Sequence, residues 1–104
     1  MWTATVVAGD AGDRYLRHFE DAVLPALQRL HGFNGAQVLR RRQPAGDELI
    51  VTTYWESEEA IRGFAGPDSE AAVVAPEARR LLAACAERGR HFEVAYMGSS
   101  AEGP

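Results

Sequence analysis

The chain has no lysine: all 11 of its basic side chains are arginine. It has one cysteine, Cys85, so no internal disulfide can form. Cys85 sits in the apolar run LLAACA, where a buried, unreactive thiol is expected. No apolar run approaches the ~20 residues that a membrane span needs. A signal-like N-terminus is also missing, which makes the cytoplasm the expected location. The three histidines, His18, His31 and His91, lack H-x-x-x-H spacing, and C-x-x-C is impossible, so no metal site is expected. Neither G-x-S-x-G, G-x-G-x-x-G nor a Walker sequence occurs, which removes the usual serine-hydrolase and nucleotide readings. The net charge of −4 argues for solubility and weakly against nucleic acid.

What is present fits one domain of 104 residues with an ordinary apolar share of 46%. Residues 1–98 are expected to form it, and 99–104, small and polar, a frayed tail. Trp2 to Ala8 reads as a strand, with Thr3, Thr5 and Val7 facing one way and Trp2, Ala4, Val6 and Ala8 the other. Asp10 can cap the first helix. Asp13 to about His31 carries Tyr15, Leu16, Phe19, Val23, Leu27 and Leu30 at helical spacing. Pro25 interrupts it and predicts a kink or two shorter helices. Gly32 ends it.

Ala36 to Arg42 and Glu48 to Trp55 read as antiparallel neighbours around a proline–glycine–aspartate turn. Ser57 can cap a helix from Glu58 to Phe64 or Ala65, which Gly66-Pro67-Asp68 stops. Ser69 to Ala75 reads equally as a further helical turn or a loose packed segment. From Pro76 a helix is expected, with Ala78, Leu81, Leu82 and Cys85 on its apolar face and Gly89 at its end. Arg90 to Met97 is the expected last strand, with Phe92, Val94 and Tyr96 on one face and His91, Glu93, Ala95 and Met97 on the other.

The resulting order is β-α-β-β-α-β, a ferredoxin-like α+β domain with a four-stranded antiparallel sheet. Helices cover one face. The other face needs a cover, and a second copy of the chain is the simplest one.

Several residues can carry chemistry. His91, in the middle of its expected strand, is a candidate proton carrier because histidine titrates near neutrality; a half-buried sheet residue is the plainer reading. His18 is expected on the helix surface and His31 near a helix C-terminus. Arg40 and Arg42 point one way and Arg41 the other, so they form no single patch. Tyr15, Phe19, Phe33, Tyr54, Trp55, Phe64, Phe92 and Tyr96 are candidates for the space between sheet and helices, as core or as walls of a cleft for a planar apolar ligand.

The stretches FEDAVLPALQRLHGFNGAQVLRR, ELIVTTYWESEEAIRGFAG, PEARRLL and HFEV, in this order and spacing, resemble the antibiotic-biosynthesis-monooxygenase-like proteins. The resemblance implies a homodimer whose two sheets meet as an α+β barrel. It also implies one of several activities: cofactor-free oxygenation of polyketide-type aromatics, haem degradation, or action on small signalling compounds or quinones. Haem-degrading members carry an asparagine on the first strand, a tryptophan on the second helix and a histidine ten residues later. Here the first strand has no asparagine, and Phe64 and Val74 stand at the other two positions. Trp55 matches a tryptophan that many members carry after the third strand, and His91 lies in an H-x-E-V ending that recurs among them.

The expected function is a monooxygenase needing no cofactor and no metal, acting on a small aromatic or quinol-type substrate in a pocket between sheet and helices. His91 is the candidate base and Tyr54 the candidate hydrogen-bond donor. Trp55, Phe64, Tyr15 and Phe19 are candidate walls. The alternative is a non-enzymatic dimer that binds a small apolar molecule or is structural. The expected partners are a second copy of the chain through the sheet face and a small apolar or aromatic ligand. Neither nucleic acid nor membrane is expected.

Overall fold

The computed structural model of the chain describes residues 1–65, 76–86 and 88–98. The expected helix stop at 66–68, the ambiguous segment 69–75 and the expected tail 99–104 lie outside them. The elements run β1 (Trp2–Val6), α1 (Ala11–His18), a π-helical segment (Phe19–Val23), α2 (Leu24–Gln28), β2 (Phe33–Arg41), β3 (Glu48–Trp55), α3 (Glu58–Ala65), α4 (Pro76–Arg79) and β4 (Leu82–Cys85). The four strands form one sheet in the order β2-β3-β1-β4, and every pairing is antiparallel. That is the ferredoxin-like α+β plan. Among the described residues no helix is long and apolar enough to cross a membrane.

The sheet's two faces come from strand alternation. In β1, Ala4 and Val6 are buried while Thr3 is exposed, as the alternation predicts. Val6, Leu27 and Leu49 are the most completely buried large side chains, and they join strands to helix. Tyr15 and Phe19 complete the helix side of the core, with Ala78 and Leu81.

The first helix is broken just before Pro25. Leu24 N–H bonds to the carbonyl of Phe19, five residues back, so one wide turn precedes the proline. Pro25 has no N–H to give and its ring crowds the preceding turn, which the wider turn relieves. In an unbroken helix, positions eight apart drift about 80° around the axis. The wide turn absorbs that drift, so Phe19 and Leu27 both stay in the core. Of the two outcomes Pro25 predicts, two shorter helices is the observed one. Asp10 stands at the N-cap without a side-chain cap bond, which corrects its expected role. The caps at Gly32 and Ser57 are as expected. Gly32 takes φ +82°, and Ser57 Oγ accepts from Ala60 N–H at 3.1 Å.

Two expectations at the C-terminal end are corrected. The helix starting at Pro76 ends at Arg79, and Leu82–Cys85, expected on its apolar face, is the strand β4. Ala84 pairs with Thr5 and Cys85 with Ala4, so the small apolar run serves the sheet edge instead. Arg90–Met97 is therefore not the last strand; residues 91–98 have no regular structure. They continue from a two-way pairing in which Arg90 N–H donates to Met1 O at 2.8 Å and the Met1 amine to Arg90 O at 2.6 Å.

Candidate functional site

The site grows from a mismatch in strand lengths. β1 begins at Trp2, which pairs with Val51, so the last residues of β3, Thr52 to Trp55, extend past it. On the other side they remain paired with β2 as far as Phe33. The chain after Arg90 passes near the free edge of this extension. Between them lies a cavity of about 570 Å³, closed on a third side by the start of α3.

Tyr54, Trp55 and His91 all border this cavity. Adjacent strand residues point to opposite faces, so Tyr54 and Trp55 cannot both enter a pocket on one face. Both reach this one because it lies at the edge of β3. The cavity is thus at the end of the sheet, not in the expected position between sheet and helices. His91 is exposed, and it sits on an irregular segment rather than mid-strand.

Trp55 is fixed by three contacts. Its Nε1 donates to Thr53 Oγ1 at 2.8 Å. Phe33 meets it edge-on at 5.3 Å and Phe64 stacks on it at 5.7 Å between centroids. Both are favourable aromatic geometries. Phe64 therefore stands behind Trp55 and does not border the cavity. The Tyr54 hydroxyl donates to Gln37 Oε1 at 3.2 Å, across the β2–β3 pair. Glu56, Glu58, Glu93 and Arg90 stand around the cavity, giving it a rim of both charge signs.

The remaining two candidate walls lie elsewhere. Tyr15 and Phe19 are 5% and 8% exposed in the core and do not border this cavity. Burial pushes the Tyr15 phenol up to about 12, with the nearby Cys85 thiol adding to the shift. Such a phenol stays protonated through the neutral range. His18 is half-buried and leaves Nε2 buried without a hydrogen-bond partner, which corrects its expected surface position. His31 comes after α2 and meets Glu56 at 3.2 Å. Arg40 faces the helix side, where it bonds Asp13 at 2.8 Å and lies 3.8 Å from Asp47. The Arg40 guanidinium holds the Asp13 carboxyl below its usual value.

Ile61, Arg90 and Glu93 also border the cavity, and the sequence does not single them out as site residues. Ile61 sits one helical turn after Ser57, and that start of α3 is what meets the end of β3. Arg90 precedes His91 and Glu93 follows it by two; the i, i+2 spacing that would set Glu93 beside His91 on a strand is the one sequence signal that could have found it, although the segment is irregular. Among the described residues no three His, Cys, Asp or Glu side chains are grouped to hold a metal ion.

The family model described as antibiotic biosynthesis monooxygenase matches residues 3–75. No curated protein matches the sequence.

Proposed function

Because the chain belongs to the antibiotic biosynthesis monooxygenase family, we propose that it is a monooxygenase that needs no cofactor and acts on a small aromatic or quinol-type substrate. The observation that carries this reading is the meeting of Tyr54, Trp55 and His91 around one cavity of about 570 Å³. That volume suits a ligand of a few fused rings. Trp55, held by Phe33 and Phe64, offers a fixed aromatic surface. His91 takes a proton from the bound phenol. The Tyr54 hydroxyl, turned from Gln37, donates to the phenolate that results.

The electron-rich anion then reacts with oxygen itself. One oxygen atom enters the ring and the other leaves as water. A simple hydroquinone thereby gains one oxygen atom and gives up two hydrogens to that water, becoming a hydroxyquinone. All four electrons that reduce the oxygen come from the substrate, so no external reductant is required. The protein's part is to place the substrate and stabilise its anion. The working unit is proposed to be a homodimer in which the open sheet face, bearing Leu39, is covered by the second copy.

Oxygen uptake with a panel of phenols and hydroquinones tests the reading. Replacing a positioned base should cost about 10²- to 10⁴-fold in kcat, so His91→Ala should lose most of the uptake. Equal uptake by His91→Ala would remove the histidine from the mechanism. Binding without turnover is the second reading. The exposure of His91 favours it, because a solvent-exposed base gains less from its placement than an enclosed one.

A further inference from the structure

Apolar and aromatic residues supply much of the wall of the cavity at the end of β3, among them Trp55, Ile61, Phe92 and Val94. Its charged groups are unequally engaged. Glu56 meets His31 at 3.2 Å, and Glu58 pairs with Arg62 at 3.2 Å along α3. Arg90 borders the same cavity, yet among the described residues it makes no ion pair.

Arg90 is nevertheless held in place. Its backbone is tied to Met1 by the two-way pairing, and its guanidinium carbon lies 5.0 Å from the centre of the Phe92 ring. The ring supports one face of the guanidinium. The N–H edge of the planar fork is kept for an acceptor, and a carboxylate matches its geometry. A second positive group stands beside it. Met1 borders the cavity too, and burial together with the Arg90 charge holds the Met1 amine below its usual value. Like charges kept together without a counter-ion are relieved by an anion. Glu93 is the opposing charge on the rim, but it is exposed on the irregular segment and can turn to water, whereas Arg90 is seated on a ring.

We propose that Arg90 sets the specificity of this cavity, and that the substrate is a phenol or hydroquinone carrying a carboxylate on a short side chain. The inference rests on the monooxygenase reading above and names the substrate class within it. The substrate ring lies against Trp55, and the carboxylate takes the N–H edge of the guanidinium. Arg90 and His91 are consecutive, so one small molecule can meet both. The carboxylate takes no part in the oxygen chemistry. It fixes the ring so that proton removal and reaction with oxygen occur at one defined place. A neutral ester at the same position gains only an uncharged, weaker hydrogen bond, and an amine meets repulsion.

The test uses the full chain and three matched hydroquinones, bearing an acetate, a methyl acetate or an aminoethyl side chain. Binding is measured by titration calorimetry without oxygen, and turnover by oxygen uptake. The acetate should bind about tenfold more tightly than its methyl ester, and the amine more weakly than either. Arg90→Gln should bring acetate and ester to within about twofold of each other, with the ester's own affinity unchanged. Arg90→Lys should keep part of the preference, as a charge without the fork. Circular dichroism and Tm of both variants should match wild type, because the Arg90 side chain makes no ion pair among the described residues. Added salt should narrow the preference in the wild-type chain, a check that needs no variant. Equal affinity for acetate and ester, or a preference that survives in Arg90→Gln, overturns the anchor and leaves the monooxygenase reading standing. Failure of all three to bind also overturns it, and uptake with the wider phenol panel then decides whether the monooxygenase reading falls as well.

Discussion

Tyr15 lies against Trp2, with ring centroids 6.3 Å apart, and beneath the sheet edge that carries Cys85. Its phenol, raised from 10.0 to about 12, makes stability depend on alkaline pH in a defined direction. The unfolded chain releases the proton near pH 10 and the folded chain holds it until about pH 12. Stability is intact below pH 10 and falls between the two values, by on the order of 2 kcal/mol. The chain has no lysine, the side chain that ordinarily titrates in that window. Urea unfolding at about pH 9 and about pH 11.5 should show the loss in wild type, and Tyr15→Phe should flatten it. Leu49, at 0% exposure, gives the packing counterpart. Leu49→Ala should lower stability by about 2–5 kcal/mol, with an unchanged m-value in the same titrations.

The elements divide by how locally they are specified. β2, the turn and β3 were legible because β-branched alternation and turn residues act over a few positions. Gly46 illustrates this. It takes φ +129°, and a Cβ there would press into the Val6 carbonyl. Gly46→Ala should cost about 2 kcal/mol or more, read as a lower Tm, and should loosen the bond from Val6 N–H to Asp47 O. Pro25 was legible as a break, since a missing donor is a local fact. β4 was not. Leu81, Leu82 and Cys85 are spaced as on a helix face, and alanine favours helix. Their partners, Ala4 to Val6, lie near the opposite end of the chain, and pairing at that distance leaves no mark on local periodicity. The alternation in Phe92, Val94 and Tyr96 is genuine strand patterning, but among the described residues it meets no ladder.

At the scale of the whole molecule, the family and the ferredoxin-like plan were legible in the order and spacing of the stretches that carry them. The candidate site was legible in part. Tyr54, Trp55 and His91 border one cavity, while Tyr15, Phe19 and Phe64 pack behind it or in the core. Side-chain type marks a residue as able to line a pocket. Whether it does depends on where β1 stops short of β3 and where the chain after Arg90 runs, and neither is written locally. The proposed chemistry is tested most directly by oxygen stoichiometry with the best substrate of the phenol and hydroquinone panel. Monooxygenation predicts one O2 consumed per substrate, with no oxygen returned when catalase is added. Return of half the oxygen on adding catalase would show a two-electron oxidation releasing hydrogen peroxide and would contradict the account, as would the absence of uptake with every member of the panel.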